Sequence, residues 1–503
     1  MSSRYAGLLG AACLLLLLLP MRAGAADSDR QVIHVLNRLA FGPTLDDFNY
    51  VKLIGVERYV AEQLEPEAID EPIELRFRLA QLTTLGLGAV ELRGLYGPLR
   101  PVAGVKPSVD EIRAQQARAR LVVREAAEAR ILKAVLSRRQ LQQVMVNFWF
   151  NHFNIFSGKG LDRVWIGNYE DQAIRPHALG RFRDLLLAVA QHPAMLVYLD
   201  NTEDAAPGSP GARGAASGLN ENFAREVMEL HTLGVNGGYT QGDVVTLARV
   251  LTGWRVNPPG SEKFPEVAAI FDGTRHDYSP KVFLGRKLDA RGRAEGEEAL
   301  DILASSPATA HHIAYELAQY FVADAPPPAL VDRLAARFLA TGGDIRQVLQ
   351  TLFASPEFWD SAGQKYKTPY EYVISAVRAA GVPVNNLRPL IGWMSRFGMP
   401  LYGCQTPDGY ANTQQAWLSP NAAIQRVSFA IALAGGGLPI GALPVGGEDG
   451  AALLPHRPDP IDPAPLEEIF GASLSRSTRA AVEAAPGGLR AALIFGSPDF
   501  MRR

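Results

Sequence analysis

Serine-proline pairs followed by helix-compatible runs recur along this chain, at Ser306-Pro307, Ser355-Pro356, Ser419-Pro420 and Ser497-Pro498. A serine hydroxyl accepts a bond from a free N–H at a helix start, and proline is pre-set for the first helical position. Two pairs sit in similar phrases, LFASPEFW (352–359) and IFGSPDFM (494–501), each with an acidic residue in the new first turn, where the helix dipole favours it. Apolar residues recur at helical spacing over 28–40, 46–64, 109–136, 138–156, 178–190, 220–233, 241–252, 307–323, 329–340, 344–354, 368–380 and 420–434. Strand-type alternation is scarce. The expected fold is mainly α, a multi-helix orthogonal or bundle-like array with long Gly/Pro-rich loops and little β structure.

The organisation follows from the same signals. Arg4, an apolar run from Ala6 to Leu19, Pro20 and the small residues Ala23-Gly24-Ala25 read as a cleaved Sec-type signal peptide over 1–25, with the mature chain starting near Ala26. The run is too short to cross a bilayer, which takes about 20 residues. A periplasmic or secreted destination follows. The helical body is expected over 26–434, including a charged helical insertion at 101–137 whose Arg/Glu/Ala alternation reads as a solvated face. APGSPGARGAASG, in the loop 205–218, is too small and polar to pack and reads as mobile. A Gly/Pro-rich linker is expected at 435–465, and a short helical tail at 466–503.

A formal net charge of −2 offers no footprint for nucleic acid, and 47% hydrophobic residues suit a large core. With the signal removed one cysteine remains, Cys404, so no intramolecular disulfide can form. Cys404 reads as a small buried hydrophobe.

Candidate chemistry concentrates in NENFAREVMELHTLGVNGGYTQGD (220–243). At about 100° per residue, Arg225, Glu226 and Glu229 share one face, Phe223, Val227 and Leu230 form the apolar stripe, and His231 points away from the carboxylates. His152 falls on the core-facing stripe of an almost wholly apolar helix, with Leu141, Met145 and Phe148. A buried polar group of this kind needs a partner. A carboxylate from Glu226 or Glu229 is the expected one, and His152, Glu226 and Glu229 are the candidate metal ligands. His276-Asp277 in a loop, with Lys281 after it, is a third element for binding or catalysis. Arg175 and His177, about Pro176, and Arg225 are candidate ligand-binding groups. The adjacent pair His311-His312 reads as structural. The chain has no Gly-x-Ser-x-Gly elbow, His-Glu-x-x-His, Walker loop or Cys-x-x-Cys.

HVLNRLAFGPTLDDF (34–48), FWFNHFNIFSGKG (148–160), IRPHALGRFRDLLLAVAQHPAMLVYLDN (174–201), LARVLTGW (247–254), RHDYSPKVFLGR (275–286) and KTPYEYVISAVRA (367–379), with the stretch above, resemble the bacterial family named domain of unknown function 1800. The resemblance runs from about 32 to about 434. It implies an exported bacterial protein, often encoded beside a member of the domain of unknown function 1501 family, which itself resembles the alkaline phosphatase and sulfatase superfamily. It implies no reaction. Two functions stay open. One is an exported enzyme whose pocket gathers His152, Glu226, Glu229, His231, His276 and Asp277, with a divalent metal as the candidate cofactor. The other is a non-catalytic partner of the sulfatase-like neighbour. They differ in whether these polar groups converge on one cleft.

Overall fold

Local capping chemistry builds most of the elements. Ser306, Ser355 and Ser419 each accept a backbone N–H at a helix start, from Ala308 (3.2 Å), Phe358 (3.3 Å) and Ala422 (3.1 Å). Ser497 takes the Phe500 N–H in the same way (3.0 Å), but a turn follows it instead of a helix. Thr240 and Asp243 form a reciprocal capping box, and Thr368 and Glu371 another. The structure, a computed structural model, describes residues 28–99, 106–214, 218–258, 267–442 and 459–503. The expected signal peptide lies outside the described residues, as do 101–105 of the charged segment, 215–217 of the expected loop and 443–458 of the expected linker.

Among the described residues there are 24 α-helices and two small two-stranded antiparallel sheets, so the protein is mainly α. Trp254–Val256 pairs with Ala269–Phe271, and Lys281–Phe283 with Arg286–Leu288. The second pair turns through Leu284 (φ 47°) and Gly285 (φ 77°), a two-residue hairpin that needs positive φ at both positions. The 46–64 run is two helices, Leu45–Ile54 and Val56–Leu64, because Gly55 (φ 88°) breaks the ladder between them. No helix among the described residues is long and apolar enough to cross a membrane.

Gln140–His152 is the axis of the body. Leu141, Met145 and Trp149 on it are completely buried, and the indole N–H of Trp149 donates to the Ala178 carbonyl (2.9 Å). The charged Val109–Leu136 helix is not simply a solvated face. Its first turns are exposed, but from Val122 onward it carries buried Glu125, Ala126, Arg130 and Ile131 and packs on Asp162–Asn168. Residues 466–503, expected as a short helical tail after the linker, pack on the body. Gly487–Phe495 packs along Pro420–Ala434, and the Tyr372 hydroxyl reaches the carbonyls of both Arg426 and Phe495 (3.0 Å each). Backbone bonds then tie Met501 to Lys367 (2.9 Å) and Arg503 to Lys365 (2.8 Å). Part of the expected loop is also anchored: the Ala206 N–H donates to the Arg275 carbonyl (2.8 Å) and the Gly211 N–H to that of Thr274 (2.9 Å).

A buried His–Glu pair facing a cavity

His152 is the last residue of the Gln140–His152 helix, so its side chain leaves the packed stripe where the backbone turns away. Its Nδ1–H donates to Glu316 Oε2 at 2.6 Å, and its Nε2 faces the His231 carbonyl at 3.2 Å. Both ring nitrogens therefore face acceptor oxygens. Glu316 comes from the Pro307–Phe321 helix, on the same face as His312 one turn earlier. His312 Nε2 lies 3.1 Å from the Leu230 carbonyl and 3.5 Å from Glu316 Oε1. The ring of His231 stands 5.9 Å from that of His152, with its Nε2 unpartnered.

His152, His312 and Glu316, with Leu230, form one wall of a cavity of about 210 Å³, and His231 lies outside its lining. Its deep side is built from Arg130, Asn147, Phe148, Tyr320 and Tyr402, and its mouth from Glu316, His312, Asp408 and Asn412. The Arg130 guanidinium donates to Asn147 Oδ1 (2.8 Å), pairs with Glu170 Oε2 (3.2 Å) and packs on the rings of Phe150, Tyr370 and Tyr402. The Tyr402 hydroxyl donates to the same Glu170 oxygen (2.9 Å). The deep wall is thus fixed by a charged network centred on Arg130 and Glu170, while the mouth keeps polar groups facing the space.

Burial on its own would raise the Glu316 carboxyl, but the His152 imidazole, and then His312, hold it below the usual carboxylate range. His231 is pushed well down, first by burial and then by the neighbouring His152 and His312, so it is neutral at neutral pH. The side chain of Glu316 is 30% exposed and that of His152 only 2%, so Glu316 is the member of the pair that a ligand meets.

The structure brings together His152 and His231 of the expected site and separates the others. The expected link from Glu226 or Glu229 to His152 is not formed; the carboxylate on His152 belongs to Glu316. The Asn222–Glu229 helix buries Phe223, Ala224, Val227 and Met228, which turns Glu226 and Glu229 away from His152. Glu226 is half-buried, and its carboxyl is raised by that burial, by Glu229 and by Asp408, against Arg225. Arg225 pairs with Glu221 (3.1 Å) and Gln241 (3.0 Å). Among the described residues no group of three His, Cys, Asp or Glu side chains is placed to hold a metal ion, so His152, Glu226 and Glu229 do not assemble as ligands.

His276 and Lys281 belong to a separate buried cluster around Glu295, with His276 Nε2 at 3.0 Å from Oε2 and Lys281 Nζ at 3.0 Å from Oε1. Asp277 pairs with Arg249 (2.8 Å); burial would raise it, but bonds from Arg249 and Ser279 hold its carboxyl down to about 2. Arg175 is held by Asp171 (2.8 Å), Glu170 (3.1 Å) and Gln143 (2.7 Å), and His177 sits beside it in the 3₁₀ turn Arg175–His177, outside the cavity lining. Cys404 is buried against Thr406.

Sequence reading missed Glu316, Tyr320, Arg130 and Asp408, and took His312 as structural. His312 and Glu316 at i, i+4 were a visible signal, since one of two adjacent histidines must face inward and the glutamate shares its face. Arg130 was hidden in a charge run, and Asp408 in a loop without pattern.

The fold and site define a helical protein built around a buried His–Glu pair that opens on a cavity. The chain belongs to the family described as Protein of unknown function (DUF1800), which it matches over residues 34–502, so the likeness continues through the C-terminal helices and beyond residue 434. No curated protein and no solved structure matches it.

Proposed function

We propose that the protein is an exported enzyme in which Glu316 acts as a general base on a small ligand held in the cavity, with His152 as its positioning partner. The observation that carries this reading is the 2.6 Å contact between His152 Nδ1 and Glu316 Oε2 at the wall of a concave site. The imidazole keeps the carboxylate ionised and oriented, and leaves Oε1 toward the mouth to take a proton from a substrate or an attacking water. Proton transfer of this kind is worth roughly 10²–10⁴ in rate. The donor geometry favours this reading over a metal ion held by His152, Glu226 and Glu229.

The test compares the purified protein with Glu316→Gln, which keeps shape and removes the charge, on chromogenic esters, phosphates and glycosides. Turnover by the parent chain should fall by about a hundredfold or more in the variant. Equal turnover by both chains sinks the assignment of Glu316. Export is tested separately: N-terminal sequencing of protein from its host should read from near Ala26, and an intact Met1 on a membrane-bound species counts against it.

A second reading, a non-catalytic partner of the sulfatase-like protein that the family resemblance implies is encoded beside it, draws on one surface. Pro420–Ala434 and Gly487–Phe495 leave Ile424, Ile431 and Leu489 exposed by 67%, 57% and 55%. Apolar side chains gathered on paired helices mark contact surfaces. Co-purification with the neighbour, lost on Ile424→Asp with Ile431→Asp, together with no turnover in any assay, favours this reading over the enzyme.

A further inference from the structure

A second concave region, of about 330 Å³, lies beyond Arg503 from the His152 cavity, between the Asp29–Leu39 helix, the 362–367 segment and residues 499–503. Its lining is cationic: Lys367 and Arg503 are buried, with Arg30 and Arg502 toward solvent. The carboxylate in that lining, Asp499, already accepts from the Ser475 N–H (3.0 Å) and hydroxyl (2.8 Å). Behind the wall sits Arg38, completely buried, whose Nη2 donates to the Ser361 carbonyl (2.6 Å) while its Nε and Nη1 have no acceptor.

The buried cations here outnumber their counter-ions. Lys367 Nζ donates to Ser375 Oγ (2.7 Å) and lies 4.1 Å from the centre of the Phe500 ring, neither of which cancels its charge. Glu371, the carboxylate that faces these groups, pairs with Arg503 Nη2 (2.9 Å) and accepts the Thr368 N–H (2.8 Å). Arg503 uses Nη2 again on the Tyr320 carbonyl (3.0 Å), and its Nε has no acceptor. Arg38, Lys367 and Arg503 thus depend mainly on Glu371; Asp324 also acts on Arg38 but is already paired with Lys365. A buried charge without a partner is costly, and an anion bound beside it removes that cost. Burial, opposed by Glu371 and reinforced by Arg503 and Arg426, pushes the Lys367 ammonium down to about 7.

We propose that this region is a binding site for a tetrahedral oxyanion, phosphate or sulfate, either free or at the end of a larger molecule. Lys367 and Arg503 would sit at its base and Arg30 and Arg502 at its rim. A guanidinium fork and an ammonium suit such an anion by geometry and by charge.

The test titrates the full mature chain with inorganic phosphate, sulfate and chloride at one ionic strength, by calorimetry and by melting temperature. Phosphate or sulfate should bind at one site and raise the melting temperature, whereas chloride should not. Lys367→Met should weaken that binding at least tenfold. If that variant fails to fold, Arg30→Ala with Arg502→Ala, both at the solvent edge, should weaken it severalfold. O-phosphoserine binding more tightly than phosphate identifies the end of a larger molecule as the source; equal binding identifies the free ion. A response to phosphate and sulfate no larger than to chloride overturns the proposal. So does binding that is unchanged in the foldable variants.

Discussion

His192 shows how far a single buried side chain can carry the stability of this protein. It caps the Pro193–Tyr198 helix by accepting the Ala194 N–H at Nδ1 (3.2 Å), and its Nε2–H donates to Asn168 Oδ1 (3.0 Å). Burial pushes its pKa down to about 3, against about 6.5 in the unfolded chain. Between those values the unfolded state binds the extra proton. The contribution is therefore complete above pH 6.5 and is lost as pH falls toward 3. Asp204 acts with the opposite sign, because burial raises its carboxyl to about 8, so it loses stability as pH rises. Comparing parent with His192→Gln isolates the histidine. From pH 7 to pH 5 the parent should lose roughly 2 kcal/mol more than the variant, read from urea midpoints. Parallel curves would mean that His192 takes up its proton as readily in the folded as in the unfolded chain. At the same scale, His152 was legible as a buried group needing a partner, because it lay on an apolar stripe. Glu316 as that partner was not, since the two residues are 164 positions apart and no local pattern joins them.

Among the elements, the Val109–Leu136 helix divides into two regimes. Arg118 lies on its exposed half, while Arg130 is held by Glu170 and Asn147 and packed on three aromatic rings. Arg118→Ala should change stability by no more than about 0.5 kcal/mol. Arg130→Met removes the cation facing Glu170, although Arg175 still reaches that carboxylate at 3.1 Å. A loss of about 3–5 kcal/mol is expected, measured by chemical denaturation. Similar costs at both positions would contradict this division. Helix ends were readable because a Ser-Pro cap or a capping box acts over three or four residues. Which side of a helix is buried was readable where apolar spacing was strong, as in Asn222–Glu229. It failed for 109–136, where alanines fit either environment and arginine can be buried when a carboxylate awaits it.

For the whole molecule, the C-terminal helices are part of the body. Phe495, Phe500 and Arg503 are buried, and Arg503 pairs with Glu371 at 2.9 Å. A chain ending at residue 442 would expose the face of Pro420–Ala434 that packs on Gly487–Phe495 and leave Glu371 without its guanidinium. It should be insoluble or lack a cooperative thermal transition, whereas the chain through 503 should melt cooperatively. A truncated chain with the parent's melting curve would show that 466–503 is dispensable.

Sequence alone determined the helical class, most helix starts and the burial of His152, because capping bonds and apolar periodicity act within a turn or two of the chain. The helical angles expected for His231 do not apply, because the helix ends at Glu229 and His231 lies in the turn beyond it. Only the tertiary structure decided which carboxylate meets His152, that Arg130 walls the cavity, that His276 and Lys281 close on Glu295 elsewhere, and that the last forty residues complete the core. Each of those is a pairing of charges or surfaces from distant segments. Burial makes a polar partner obligatory, but which one arrives is set by how the helices pack.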